Sequence, residues 1–313
     1  MVRYVSYDGD VLAAVLERTG LRGRVYCSTQ ARGTWGLSFR QQPGAVFHCI
    51  SSGTCWLTHG RERVQLSAGD LVLFARGDAH SVSDQPRSPK VALEAWLARG
   101  RRPGLQALGS GRGAVSEVLC GVYEFDVATR THPVLELLPP LLHLRPSAQR
   151  TDLAGTLASL QGELARGPLG SALVMARLLD ILFVQIVRAW VESEPQRSGW
   201  IGALNEPVLA RALAAMHREL ERDWSVESLA RASGTSRATL ARRFGEQIGE
   251  APLAYLTRLR LEEAARQLGR GDVGLAAVAQ AVGYSSEFAF NRAFRRMYGE
   301  PPGRYRERQQ ARK

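Results

Sequence analysis

Lysine is almost missing from this chain: of its 41 basic side chains, all but Lys90 and Lys313 are arginine. Cysteine is sparse as well, four in 313 residues. Cys27, Cys49, Cys55 and Cys120 form no C-x-x-C pair, which argues against a zinc ribbon and against a secreted disulfide scaffold. A clean apolar run is also lacking. The longest candidate, "ALVMARLLDILFVQIVRAWV" (172–191), is interrupted by Arg177, Asp180, Gln185 and Arg188, so it predicts an amphipathic helix and no membrane span. The opening "MVRYVSYDGDVLAAVL" has polar residues where a secretory signal needs an apolar core. Together these absences predict a cytoplasmic protein with no membrane partner.

The length allows two domains, each with its own core. Hydrophobic residues at 45% and charged residues at 23% are ordinary for a globular chain. A formal net charge of +11 is less ordinary. The planar fork of arginine suits phosphate and guanine edges. A GC-rich coding sequence produces the same bias, so charge alone is not taken as evidence of binding.

The pattern changes along the chain. Residues 8–19 predict a short helix. From Gly23 to about Asp126, short apolar runs ("RVYCST", "WGLSF", "AVFHCI", "TCWLTH", "RVQLSAGDLVLF", "SEVLCGVYEF") alternate with turn residues and predict a small antiparallel barrel or sandwich. The Gly-, Pro- and Arg-rich span 85–114 predicts a loop inside it. After Pro133 the pattern turns helical, with long helices near 151–166 and 171–191 and a linker in "ESEPQRSGW" (192–200). Everything from Glu206 onward is short and helical. The predicted division is residues 1–195, a linker over 196–205, and a helical domain over 206–313.

That last segment repeats itself. "LARASGTS" (229–236) aligns with "VAQAVGYS" (278–285), and "FGEQIGEAPLAY" (244–255) with "FRRMYGEPPGRY" (294–305). Each copy has the mechanics of a helix-turn-helix. Ser225 can cap a helix over 226–232, Gly234 can end it in the left-handed region, and Ser236 can cap "RATLARRF". Ala230 and Ala232 are small enough for a close crossing, with Leu229, Leu240 and Phe244 as shared core. The second copy offers Val278, Gly283, Ser285 or Ser286, Phe290 and Phe294. Between the copies, residues 252–268 form a strong helix and a rigid spacer. A helix buried through Phe290 and Phe294 that turns Glu287, Asn291 and Arg292 outward suits a DNA major groove. The segment 206–313 carries 19 basic against 13 acidic residues, a net of +6, as a phosphate-lined partner requires.

Residues 224–308 resemble the AraC/XylS family of bacterial transcription regulators, most closely in "VAQAVGYSSEFAFNRAFRRMYGEPPGRYR". Carried over by position, that resemblance implies base contacts from Ala238, Ala241 and Arg242 in the first recognition helix. In the second it implies Glu287, Phe288, Asn291 and Arg292. With two alanines in the first set, its polar contacts fall to Arg237, Thr239 and Arg242. Arg243, Arg295 and Arg296 are better placed for phosphate, where they position and do not specify. The implied partners are double-stranded promoter DNA and RNA polymerase; separately, the helix at 171–191 has more apolar surface than one barrel needs to cover, which points to a homodimer unless that surface packs wholly within its own domain.

The N-terminal part resembles the cupin-like effector domain of one branch of that family, in "FHCISSGTCWL" (47–57), "LSAGDLVLFARGDAH" (66–80) and "LCGVYEF" (119–125), with helical "LPPLLHL" (138–144) and "RLLDILFVQIVRAW" (177–190). The expected fold is therefore α+β in two domains: a cupin-like β-barrel followed by helices, then an all-α domain with two helix-turn-helix motifs. Metal-dependent cupins use three histidines and a glutamate. Here His48 and His80 fill two places, Ile50 replaces a second histidine on the same face, and Thr54 or Cys55 stands near the glutamate place. His48, Cys55 and His80 are read as lining an effector pocket, with no metal, no cofactor and no catalytic residue assigned. A metal-binding cupin enzyme or a metal-sensing regulator is the alternative. Cys27 and Cys120 lie on predicted strands bordering the barrel. The resemblance extends to regulators that sense oxidants such as hypochlorite through cysteines, so this pair is a candidate redox site, while buried thiols that merely fill space are the competing reading. The signal is then a small molecule or an oxidant.

Overall fold

The structure, a computed structural model, describes residues 22–98, 105–124, 138–146, 151–193, 206–271 and 273–311, with positions 135, 202 and 203. The expected helix at 8–19 and most of the expected linker at 196–205 lie outside the described residues. The chain forms two compact units, the first holding 22–124 and the described part of 133–193, the second the described residues from 202 onward.

Eleven strands among the described residues build the first unit: β1 (Arg22–Thr34), β2 (Gly36–Phe39), β3 (Ala45–Ser52), β4 (Thr54–His59), β5 (Glu62–Ser67), β6 (Leu71–Phe74), β7 (His80–Ser83), β8 (Val91–Ala92), β9 (Leu105–Leu108), β10 (Ser110–Glu124) and β11 (Leu141–Leu144). One sheet runs β11-β6-β3-β10-β1-β9 and the other β5-β4-β7-β2-β8. Pairing is antiparallel apart from β1 with β9 and β2 with β8. Alternation then decides what fills the space between the sheets. On β3, Val46, His48 and Ile50 are buried inward, where Val46 and Ile50 join Cys27, Leu57, Val72 and Cys120 in one apolar core. Phe47 and Cys49 face the opposite way, toward the helices.

Three helices among the described residues belong to this unit: α1 (Leu93–Leu97), α2 (Thr151–Arg166) and α3 (Ser171–Ser193). α3 buries Leu179, Leu182, Phe183 and Ile186. Tyr123 of β10 donates its hydroxyl to the Leu179 carbonyl at 3.1 Å and meets Phe183 edge-on, which docks α3 on the outer face of the larger sheet. Two expectations are corrected here. The span 85–114 is not one loop, since it holds β8, α1, β9 and the start of β10. β9 finds its hydrogen bonds by adding in parallel to the edge of β1, from Ser28 opposite Leu105 to Ala31 opposite Leu108. Residues 141–144 are not helical either. They pair with β6, Leu141 opposite Phe74 through Leu144 opposite Leu71, and a short apolar run carries too little periodicity to tell strand from helix.

The second unit comprises α4 (Pro207–Arg218), α5 (Val226–Ala232), α6 (Arg237–Ile248), α7 (Pro252–Arg270), α8 (Leu275–Ala281), α9 (Glu287–Tyr298) and α10 (Pro302–Gln310). Ser225 caps α5 in a reciprocal box with Ser228, Ser236 accepts from the Thr239 amide, and Ser286 accepts from the Ala289 amide. Gly234 and Gly283 adopt φ of +69° and +80°, as the turns require. The duplication reaches side-chain chemistry: Arg258 donates to Glu250 and lies over Tyr255, and Arg308 donates to Glu300 and lies over Tyr305. The small residues at the two crossings are Ala230 and Ala279, both buried. Ala232 is exposed, so its expected place in the crossing is corrected; buried Ser233 stands there, its hydroxyl donating to the Leu229 carbonyl.

Candidate nucleic-acid interface and buried sensor cluster

Each recognition helix is fixed by its cap and by its buried stripe. Leu240 and Phe244 anchor α6; Phe290 and Phe294 anchor α9, all four fully buried. What remains outward differs between the two. On α6, Arg237, Ala238, Ala241 and Arg242 are exposed. The Arg242 guanidinium is held by Glu246 at 2.9 Å, and Arg243 pairs with Glu206 ahead of α4. The Thr239 hydroxyl accepts from Ser236 at the cap. On α9, Glu287, Phe288, Asn291, Arg292, Arg295 and Arg296 line one shallow concavity. Phe288 is 77% exposed, although it is a large hydrophobe. Among the described residues no carboxylate pairs with Arg292, Arg295 or Arg296. So α9 presents three cations and an aromatic ring, whereas α6 presents two alanines, Arg237, and two arginines paired with glutamates.

Arg260 was not singled out from sequence. From α7 it donates to the carbonyls of Leu220 and Arg222 at 2.9 and 2.7 Å. Its guanidinium also packs against Gly283 in the turn before α9. It therefore ties the end of α4, the spacer helix and the second turn together. Its spacing from those partners in the chain gives no signal that sequence could reveal.

In the first unit the sensor candidates meet in an unexpected combination. The register places Cys27 opposite Cys120 and Cys120 opposite His48, one row across β1, β10 and β3. Cys27 and Cys120 are thus cross-strand neighbours, both buried. Cys120 Sγ lies 3.0 Å from His48 Nδ1, His48 Nε2 lies 2.6 Å from His80 Nε2, and His80 Nδ1 lies 2.6 Å from the Asp78 carbonyl. The His80 ring is stacked between Phe39 and Phe74, at 4.7 and 3.9 Å. Cys55 lies on the facing sheet opposite Leu66, so the thiol that meets His48 belongs to Cys120.

Burial sets the charge of this cluster. It holds His48 well below the usual imidazole range, with His80 adding to the effect, and lowers His80 to about 4. The contact with Cys27, then burial, pushes the Cys120 thiol well up. Burial, then Asp70, raises Cys55 to about 12. Cys120 thus has a cysteine and a neutral imidazole as its neighbours. With every group neutral, one proton arrangement satisfies all contacts. The Asp78 carbonyl accepts from His80 Nδ1–H, so His80 Nε2 accepts from His48 Nε2–H. His48 Nδ1 then accepts from Cys120 S–H.

This arrangement does not fit the cupin metal. The two imidazole nitrogens that would share an ion touch each other, Ile50 occupies the third place, and among the described residues no group of three His, Cys, Asp or Glu could hold a metal.

Comparison with known proteins covers both units. The cupin family pattern matches residues 10–192 and a helix-turn-helix domain pattern matches 229–308. A putative AraC-like transcription regulator of Streptomyces lividans is 36% identical over 95% of this chain and 98% of its own. RclR of Escherichia coli K12, an RCS-specific HTH-type transcriptional activator, is 32% identical over 61% of this chain and 68% of its own. The crystal structure of the AdpA DNA-binding domain with a target DNA is 36% identical, covering 34% of this chain and 96% of that one, with a TM-score of 0.33.

Proposed function

Because this chain belongs to the AraC family of transcription regulators, a sequence-specific DNA-binding protein whose N-terminal cupin domain receives a signal, we propose that α9 does most of its base reading. The observation that carries this is the contrast between the helices: Arg292, Arg295, Arg296 and exposed Phe288 on α9, against Ala238, Ala241, the glutamate-held Arg242 and Arg243, and the single unpaired cation Arg237 on α6 among the described residues. Arg292 and Asn291 face base edges, with Glu287 and Phe288 beside them; Phe288 meets a thymine methyl. Arg295, Arg296 and Arg243 serve phosphates, and Arg237 and Thr239 position α6. The spacer α7, at 19 residues, is ~28 Å long at ~1.5 Å per residue. That length suits two successive major-groove segments ~34 Å apart on one face of the duplex.

Binding measured across a set of operator variants tests the assignment. Arg292→Ala should cost ~1–3 kcal/mol and relax preference at one base position, whereas Arg296→Ala should weaken every sequence alike and flatten the salt dependence. Equal loss of preference from both would refute it. The protein acts in the cytoplasm as a non-enzyme, on promoter DNA and RNA polymerase, and as a homodimer.

A second reading concerns the signal, and the Cys27–Cys120 register favours it. Directly opposed residues of an antiparallel pair have Cα atoms ~4.5–5.5 Å apart, inside the disulfide range. Hypochlorous acid would take two electrons from the thiols, giving a disulfide, chloride, water and a proton. The product lacks the Cys120 S–H, so His48 Nδ1 loses its donor deep in the core. An orphaned buried acceptor costs ~1–3 kcal/mol, enough to bias two arrangements of the domain. The similarity to RclR adds support. A reporter challenged with hypochlorite should lose its response in Cys27→Ser and in Cys120→Ser; an unchanged response in both would assign these thiols to packing alone.

A further inference from the structure

The two copies of the repeat share an arginine that is used differently in each. At the offset of 49 residues that aligns Gly234 with Gly283, Arg211 of α4 corresponds to Arg260 of α7. Space agrees with sequence, because each guanidinium stands beside the left-handed glycine of its own copy. A Cβ on Gly234 would lie 3.6 Å from Arg211, and one on Gly283 would lie 2.6 Å from Arg260. Arg211 places both Nε and Nη2 on the Ser233 carbonyl, at 3.0 and 2.8 Å, and so closes α5 inside the first motif. Arg260 instead reaches out of its copy. Its Nε donates to the Leu220 carbonyl at 2.9 Å and its Nη2 to the Arg222 carbonyl at 2.7 Å, both in the turn between α4 and α5. The Glu221 carbonyl between them would lie 2.7 Å from a Cβ on Gly283, so the turn ahead of α9 rests directly on backbone of the first motif.

We propose that Arg260 is a positioning residue for operator recognition: it fixes the angle between α6 and α9, and so sets the spacing of the two DNA elements that one chain accepts. The length of α7 supplies a distance only. Its first turn is attached to the first motif through Tyr255, whose hydroxyl lies 2.8 Å from His217 Nε2 and whose ring meets Phe244 edge-on. Arg260, ~7.5 Å further along the helix, adds a second point of attachment. Two points set the direction in which α7 leaves the first motif. A planar fork on two carbonyls holds one geometry, which a single flexible contact does not. Moving one operator element by one base pair shifts it ~3.4 Å along the duplex and ~35° around it. A held angle rejects the shifted element, and a loose one follows it. Arg211, bonded within its own motif, has no such lever. This inference rests on the reading that α6 and α9 both engage one duplex.

Two readouts on the full chain test it. The first uses no DNA. Spin labels on Ala238→Cys and Ala289→Cys, both exposed, report the separation of α6 and α9, while the native cysteines are buried. Arg260→Met keeps an apolar stem and removes the donors, so it should broaden the distance distribution about twofold by populating a second arrangement. Arg211→Met also removes a guanidinium and should leave the width as in the parent. The second readout uses a duplex selected by the parent chain from a random-sequence pool, with one base pair then inserted between its two elements. The insertion should weaken the parent about tenfold, as one mismatched contact does, and Arg260→Met about twofold or less. Arg260→Lys, with one ammonium for two carbonyls, should fall between in both readouts and replaces the methionine variant if that chain does not fold. An unchanged width together with an unchanged spacing penalty in the Arg260 variants would overturn the inference. Equal broadening in Arg211→Met would overturn it as well. A parent indifferent to the insertion would strike the two-element reading, and the spacing role with it, whatever the label distances show.

Discussion

Cys120, His48 and His80 hold one line of hydrogens, and every link in it requires neutral groups. That gives the first unit a definite response to acid. In the unfolded chain each histidine takes a proton near pH ~6.5, whereas folded His80 stays neutral down to about 4 and His48 is depressed as well. The unfolded state therefore binds more protons between those values, so stability is complete above ~6.5 and falls as the pH drops toward ~4. His80 alone accounts for roughly 3 kcal/mol of that loss. Thermal melts of the parent and of His80→Gln at pH 7 and pH 5 check this: the variant should lose distinctly less on acidification. Identical losses would mean that ordinary surface carboxylates, and not the buried imidazoles, dominate. Part of this cluster was legible beforehand. Alternation put His48 and Ile50 on one face and showed that a metal ligand was missing. The Cys120–His48 contact was not legible, because it depends on which distant strand lies beside β3.

At the scale of elements, the two turns of the tandem motif look alike in sequence and differ in surroundings. Both Gly234 and Gly283 are left-handed. A Cβ on Gly234 would meet nothing closer than Arg211 at 3.6 Å, whereas on Gly283 it would come within 2.6 Å of Arg260 and 2.7 Å of the Glu221 carbonyl. Gly234→Ala should then cost ~1–2 kcal/mol, the backbone term alone. Gly283→Ala should cost ~3 kcal/mol or more, since a backbone carbonyl cannot swing aside and Arg260 would lose its own two acceptors. Urea titration of the two variants checks the order, and equal midpoints would deny Arg260 its tying role. The helices here were legible because their signals are local: cap, apolar stripe and left-handed glycine fall within a dozen residues, and the motif occurs twice. β7, β9 and β11 were not. "HSVS" is polar, "LQAL" sits among glycines and arginines, and "LLHL" follows two prolines. Each becomes a strand only because a partner strand supplies its hydrogen bonds.

The whole molecule leaves one apolar stripe without a described partner. On α3, Leu173 and Ile181 are 64% and 47% exposed, Val174 is 44% exposed, and Leu169 just ahead of the helix is fully exposed. Leu173, Arg177 and Ile181 recur every four residues, so they share one face of the helix, with Leu169 in the turn ahead of it. Arg177 is kept by Asp180 at 3.2 Å, which neutralises the one charge on that stripe. The opposite face of α3 is spent on the domain core through Leu179, Leu182, Phe183 and Ile186, so the outer stripe is surplus to folding. Two copies of α3 packed antiparallel would cover it symmetrically, and a stable pair needs ~1,000 Å² or more in total, which the helix and its neighbours can supply. Light scattering at micromolar concentration without DNA should give twice the chain mass of 34.3 kDa. Leu173→Glu with Ile181→Glu should return a monomer whose unfolding is little changed, because exposed positions seldom cost more than ~0.5 kcal/mol. On DNA that monomer should lose the gain from two linked sites, so its affinity for a paired operator should fall ~10²-fold or more while its affinity for a single half-site stays the same. A parent chain that runs as a monomer, or a double variant that remains a dimer, would place the assembly surface elsewhere.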